Sequence, residues 1–355
     1  MIVMIKDSIS LVAVGDIMLG DHIYGHGVGS SLKTKKPGAL FSNVSDTLKK
    51  GDIIFGNLEC VLSDININNK SLASVSLRGA EKSINELKSA GFNILSIANN
   101  HILQHGELSL MRTKELLQQH GIQGIGVSET KEESRKVYVM EIKGVKIGFL
   151  AYCLIGDKTA YCSVDSPSEI IGDVKDANAK VDILVVSMHW GNEFIRKPSS
   201  QQFELGHAII DAGAKLILGH HPHVLQGVEK YNGGIIVYSL GNFVFDMWER
   251  KMRESMILSV NLSKKGVEKF EIKPVIIEKD FRPCPLEGAE KDKLLSQITG
   301  EFLELKDEIS YLEEVRACRK YYRFGLVKHL AFNFYRYNPL YLYQIGSDFF
   351  NKQRR

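Results

Sequence analysis

The sequence predicts an α/β protein: a four-layer α/β/β/α sandwich carrying a C-terminal helical extension. Three observations lead there. Short runs of Val, Ile and Leu, of lengths that suit buried strands, alternate with helical stretches through the first half. From about residue 224 the alternation gives way to hairpins, and from about Glu287 the pattern is helical, with mixed charge up to Glu314. Alternating units followed by hairpins fit two mixed sheets packed face to face with helices outside. The chain has 355 residues, 44% of them apolar, enough for one large core. The expected division is 1–285 for the sandwich and 286–355 for the extension. Eight prolines and no low-complexity run argue against long disorder.

The elements follow in order. A strand at about 10–15 leads into the turn GDIMLG, and a helix near 40–50 precedes a strand at 52–56. A helix at 80–90 ends at Gly91, a residue suited to the left-handed position after a helix, before a strand at 93–98. A helix at 107–120 closes at Gly121. Strands near 136–142 and 145–153 form a hairpin about Lys143-Gly144. Two αβ units give strands at 182–188 and 215–219, and hairpin strands follow at 224–230, 235–240, 256–263 and 267–277. No internal repeat is found.

Charge and cysteine usage narrow the setting. The formal net charge is +3, but from Arg316 onward there are nine Lys/Arg against one Asp, together with eleven of the 31 aromatic residues. The C-terminal segment is therefore a different kind of surface from the rest. Five cysteines (Cys60, Cys153, Cys162, Cys284 and Cys318) are scattered and lack a C-x-x-C, which reads as reduced thiols and favours a cytoplasmic setting. The start, MIVMIKDSIS, has neither a basic leader nor a long apolar run, so no signal peptide is expected. No stretch of about 18 apolar residues occurs, so no spanning helix is expected.

Six stretches carry the chemistry. They read LVAVGDIMLG (11–20), IIFGNLE (53–59), ILSIANNH (94–101), ILVVSMHWGNE (183–193), LILGHHPH (216–223) and IIVYSLGNF (235–243). In each, metal-binding or acid–base side chains follow an apolar run, which places them at strand ends, where a sheet presents ligands along one edge. Carboxylates, an amide and imidazoles from separate strands, pointing at one place, are what two adjacent divalent metals need.

The order and chemistry of these stretches resemble the CapA family, linked to poly-γ-glutamate capsule synthesis and built on the calcineurin-like metallophosphoesterase fold. The resemblance runs from about Leu11 to Asp246, and GHHPHVLQGVE followed by YSLGNFVFD is its most specific part. It implies a metallophosphoesterase-like sandwich holding two divalent ions, with Asp16, Glu59, Asn100, His189, His221 and His223 as ligands. Glu59 would bridge the ions, since Asn57 lacks two usable carboxylate oxygens. His101 would stay off the metal and serve the reacting oxygen. Gln104 stands where many relatives carry an Asp beside that histidine, so it orients the ring without stabilising an imidazolium. Met18 stands where many carry a ligand His, which leaves a thinner shell or a role for His22. Arg78 would bind substrate through a planar guanidinium; the competing reading is a surface salt bridge. Glu193 would hold a ligand histidine. In an extended turn the i, i+2 spacing sends His221 and His223 the same way and turns His220 outward, as a packed or supporting residue; the choice between His220 and His221 stays open. Asn242 would brace the loops, Asn99 would bond the backbone at its turn, and Trp190 is read first as a core residue.

A donor set of N and O atoms without thiolate suits Mn, Fe or Zn. The implied activity is metal-dependent hydrolysis of a phosphoester, or of an anionic polymer or its precursor in capsule or poly-γ-glutamate synthesis. The alternative is an accessory protein that binds carboxylates through the same cleft. The partner is thus an anionic small molecule or polymer. The tail at 316–355 has two open readings: a face lying on an anionic membrane, or packing against the sandwich or a second chain. Nucleic-acid binding is not expected, because no recognised module frames the basic patch.

Overall fold

A computed structural model describes residues 8–22, 27–156, 162–164 and 166–352. Two sheets form the sandwich. The larger has eight strands in the order Pro283–Pro285, Gly266–Ile277, Glu254–Ser263, Ile9–Ile17, Ile53–Leu58, Ile94–Ser96 and Gln123–Ile125, with Asn242–Val244 pairing beside the end of Ile9–Ile17. The smaller runs Val228–Tyr231, Gly234–Val237, Leu216–His220, Ile183–His189, Val145–Cys153 and Tyr138–Ile142. Parallel strands run from the centre of the larger sheet to one of its edges and fill the centre of the smaller. Their carboxyl ends are therefore gathered on one edge, as the six motif-bearing runs require.

The sheets pack face to face. Phe55 from one and Phe149 from the other stack with centroids 6.4 Å apart. Leu87, Leu110 and Leu117, from helices Ile84–Ala90 and Gly106–Gln119, cover the outside of the larger sheet. Ile170, Val174 and Ile209, from helices Pro167–Asn178 and Ser200–Asp211, cover Leu150, Val186 and Ile217 of the smaller. This is the expected four-layer sandwich. Gly91 (φ 90°) ends its helix in the left-handed conformation, and Lys143 (φ 52°) with Gly144 (φ 74°) makes the two-residue hairpin turn.

Two elements differ from expectation. The helix near 40–50 is only the single turn Ser45–Leu48. The Glu86 carboxylate takes the N–H groups of Gly38 and Leu40 at 2.8 and 3.1 Å, so residues 38–40 are satisfied outside a helix. The strand expected at 235–240 stops at Val237, and after Gly241 (φ 70°) the chain joins the other sheet as Asn242–Val244. In the extension, helices Gly288–Thr299, Glu308–Asn333 and Pro339–Lys352 follow one another. Leu286, Leu294, Ile298 and Phe302 join the inter-sheet core, so packing continues past the expected boundary at residue 285. Among the described residues no helix is long and apolar enough to cross a membrane.

Candidate metal centre

The strand ends meet as the motifs foretell. Asp16 lies in Ile9–Ile17 and Glu59 one residue beyond Ile53–Leu58, while Asn100 and His101 occupy the turn after Ile94–Ser96. His189 and His220 end neighbouring strands in register, and His221 and His223 follow in the loop. Asp16, Glu59, His189, His220, His221 and His223 are all buried, whereas Asn100 and His101 are partly open.

Glu59 sits at the middle. Its Oε1 accepts no hydrogen bond, yet it lies 3.3 Å from His223 Nε2, 3.9 Å from His101 Nε2 and 4.0 Å from His189 Nε2. The ligand atoms fall into two groups, each within 4.8 Å: Glu59 with His221 and His223, and Asp16 with Glu59 and His189. Glu59 belongs to both, which is the position of a bridging carboxylate. Asn100 Oδ1 is 2.8 Å from His189 Nε2, which places the amide oxygen beside the second group.

The proton positions can be argued from the amides. Asn242 Nδ2 donates to the carbonyls of His223 and Met252 at 3.1 and 2.9 Å. Its oxygen therefore faces His223 Nδ1, at 2.9 Å, and that nitrogen carries the hydrogen. His223 Nε2 is then a bare acceptor, 3.3 Å from the unbonded Glu59 oxygen. Two buried acceptors this close are unfavourable unless a cation, or the proton of a neutral Glu59, lies between them. The donors present thus fit divalent metal ions: oxygen and imidazole nitrogen, buried, with one carboxylate shared.

Supporting groups hold the ligands. His220 Nδ1 bonds Asp16 Oδ1 at 3.0 Å, and the His221 N–H reaches Asp16 Oδ2 at 3.3 Å. His220 is thus turned to the cluster through Asp16 instead of facing away. The reason is backbone geometry: His221 (φ 94°) and His223 (φ 55°) are left-handed, so the turn is not extended and strict alternation fails. Such conformations cost about 1–3 kcal/mol each and persist where the surroundings over-determine them. Asn57, which the sequence reading excluded only as the bridging group, proves to be a clamp: its Nδ2 lies 2.9 Å from Asp16 Oδ1 and 3.3 Å from Glu59 Oε2. Its place two residues before Glu59 in GNLE was the available signal. Asn99 bonds the Leu58 carbonyl at 2.9 Å and caps the His101 N–H at 3.1 Å, the structural part expected of it.

Electrostatics follow from burial and crowding. Burial opposes ionisation of Asp16, but the His220 hydrogen bond and the His220, His223 and Asn57 contacts together outweigh it and hold its pKa low. Burial and then the Asp16 charge push Glu59 well above the carboxylate range. Burial, reinforced by neighbouring histidines, takes His189 well down and His221 down to about 3. Without metal the pocket thus disfavours both a second negative charge and protonated imidazoles. Divalent cations relieve the first constraint and use the neutral imidazoles.

His101 is set apart. Gln104 Nε2 donates to the Ser76 carbonyl at 3.4 Å, so Gln104 Oε1 faces His101 Nδ1, at 2.8 Å, and fixes the hydrogen there. Nε2 points inward, 3.3 Å from Asn100 Nδ2. Burial lowers the His101 pKa to about 4, although the Gln104 bond works against it. Met18 is a core residue, fully buried. His22 lies nearby: burial first, then the charges of His223 and His101, lower it to about 3.

Two expected residues are not brought in. Arg78 is buried, and its guanidinium is bonded to the Ser63 and Ile65 carbonyls and, at 3.3 Å, to Ser109 Oγ. Its donors brace a loop instead of facing a substrate, a correction to both readings of that residue. Glu193 is exposed and holds no cluster histidine among the described residues; its charge instead helps raise Glu59 and Tyr322. Trp190 packs in the outer core, with Nε1 bonded to the Tyr238 carbonyl at 2.9 Å.

Comparison with known proteins shows the family of the chain. The family model described as "Bacterial capsule synthesis protein PGA_cap" matches residues 10–247. The chain belongs to this capsule synthesis family. Within it, the chain is 30% identical over 308 residues to the capsule biosynthesis protein CapA of Bacillus anthracis, covering 83% of this chain and 74% of that one. It is also 30% identical to the PGA biosynthesis protein CapA of Bacillus subtilis, over 81% of this chain and 76% of that one. In structure, this capsule synthesis family member is similar to a protein described as a novel phosphatase of Mycoplasma pneumoniae. That likeness has a TM-score of 0.50 at 12% identity, over 76% of this chain and 94% of that one, and it concerns the fold. The four-layer α/β/β/α sandwich expected from the sequence is the fold observed.

Proposed function

We propose that the cluster holds two divalent ions, Mn, Fe or Zn, and that the protein is a metal-dependent hydrolase in capsular polymer synthesis. Its substrate would be a phosphoester, or an anionic polymer such as poly-γ-glutamate or its precursor. The observation carrying this reading is a pair of buried acceptors, His223 Nε2 and the unbonded Glu59 Oε1, only 3.3 Å apart. Asp16, Glu59, Asn100, His189, His221 and His223 would hold the ions. When bound, such ions polarise a phosphoryl or carbonyl oxygen and make a water molecule nucleophilic at neutral pH.

The chain's own residues supply the remainder. Asn57 keeps the two carboxylates apart and aligned through one amide nitrogen. Asn242 fixes the His223 tautomer with Nε2 free to ligate. His101, partly open to solvent, presents Nε2 at the rim, where it can accept a proton or, once protonated, deliver one to a departing oxygen. The test is anomalous scattering from crystals grown without added metal, paired with hydrolysis assays in chelator. Two scattering peaks within about 4 Å and chelator-sensitive turnover support the reading. Full turnover after verified metal loss refutes it.

A second reading has its own observation. Gln104 offers His101 a neutral amide, and burial holds that imidazole down to about 4. A weakly protonated histidine suits an accessory role, in which the metal-lined cleft binds carboxylates without cleaving them. Metal occupancy with no hydrolysis of phosphoesters or poly-γ-glutamate, and saturable polymer binding, would select that role.

A further inference from the structure

The long helix Glu308–Asn333 and the terminal helix Pro339–Lys352 lie on the sandwich by one side only. Tyr311 and Val315 pack with Ile195, and Tyr322 stacks on Phe194 at 4.3 Å and on Trp248 at 5.2 Å. The terminal helix is pinned to residues 69–72. Tyr341 donates to the Asn69 carbonyl at 2.7 Å, and Gln344 accepts from the Leu72 N–H at 2.7 Å. The other side is uncovered and apolar: Phe324 is 72% exposed, Phe332 70% and Tyr335 69%.

From Arg316 to its end, the long helix carries only positive charge, whereas Glu313 lies on the same stripe one turn earlier. At about 100° per residue, the stripe opposite Tyr311, Val315 and Tyr322 carries Arg316, Lys320, Phe324, Val327 and Lys328. All five are exposed, and none of the three basic residues pairs with a carboxylate among the described residues. The acids of this helix, Glu308, Glu313 and Glu314, all precede Arg316, and Asp348 is the lone acid after it. Aromatic rings interleaved with unpaired cations match a bilayer interface, where rings enter the headgroup boundary and cations meet anionic lipid. A second copy fits poorly, since like-charged faces would meet, and a soluble polyanion offers nothing apolar to the rings.

We propose that the exposed face of the two C-terminal helices docks the protein on an anionic lipid surface. The inference is independent of whether the metal centre hydrolyses anything. The experiment is co-sedimentation of the full chain with phosphatidylglycerol-containing vesicles and with phosphatidylcholine vesicles. Wild type binds the anionic vesicles at least about tenfold more tightly, and less so as salt rises. An Arg316→Glu/Lys320→Glu/Lys328→Glu variant loses about tenfold or more. A Phe324→Ser/Phe332→Ser variant loses about fivefold at unchanged melting temperature, because both rings are exposed. Lys264→Glu/Lys265→Glu, at the exposed turn between two sheet strands, changes little. Equal binding to both vesicle types, or unchanged binding by the helix variants, overturns the proposal. A dimer that the phenylalanine variant dissolves, or soluble polyglutamate bound through these same residues, overturns it in favour of those occupants.

Discussion

The two sides of the metal centre are built differently. On one side, Asp16, His220, His223 and Asn242 are almost fully buried, and each is held by another: His220 on Asp16, Asn242 on His223, and Asn57 across Asp16 and Glu59. On the other side, His101 and Asn100 are partly exposed, and the imidazole is steadied by one neutral amide. Buried, mutually braced ligands keep their geometry with or without substrate, which is what affinity for an ion needs. A half-open imidazole can meet a ligand and exchange a proton. Under the proposed function, the first side would hold the ions and the second would react.

Mutations can break that division. The largest effect is expected from His223→Ala, which removes an Nε2 donor from the Glu59 group: bound metal measured by mass spectrometry falls sharply and turnover vanishes with it. His101→Ala should lower kcat by roughly 10²–10⁴, the usual worth of a general acid or base, with metal content near wild type. Loss of metal in this variant would erase the distinction between the sides. Asn242→Leu keeps the bulk but removes the tautomer-fixing amide. Metal affinity should weaken about 10–100-fold while the protein still folds, as for other groups that orient a ligand. Unchanged affinity would show that His223 needs no such help.

The smallest effect sharpens the comparison. Gln104→Asp places a negative charge beside His101 Nδ1 and raises that imidazole's pKa from about 4. If His101 donates the proton, activity falls as pH rises through its pKa, so the falling limb of the profile moves to higher pH. Turnover of aryl phosphates at neutral pH should rise a few-fold. Equal rates and an unmoved limb in a folded, metal-loaded variant would put position 104 outside the chemistry and favour the accessory role.

Much of this was legible in the sequence because strand ends write themselves as apolar runs broken by polar clusters. Asp16, Glu59, Asn100, His189, His221 and His223 were each named from such a run, and the structure brings all six to one edge. What stayed hidden depends on direction and long-range contact. The inward turn of His220 follows from left-handed backbone at His221 and His223, which no residue type there announces. The fate of Arg78 is decided by carbonyls at Ser63 and Ile65, which its own neighbourhood does not reveal. The switch of SLGNF between sheets turns on the close approach of Gly15 and Gly241, where a Cβ on Gly15 would lie 1.9 Å from the Gly241 oxygen.

That switch has a further consequence for how the molecule assembles. The segment leaving Gly234–Val237 in one sheet enters the other at Asn242–Val244, and Asn242 is also the residue that sets His223. Asp16, Glu59 and Asn100 come from one sheet, and His189 and the loop after His220 come from the other. Neither sheet owns half a site that could work alone. The centre is complete only when the two sheets have docked, so the full donor set does not exist before that step. Ion capture would then act as a seal on a finished sandwich, not as a seed for its folding.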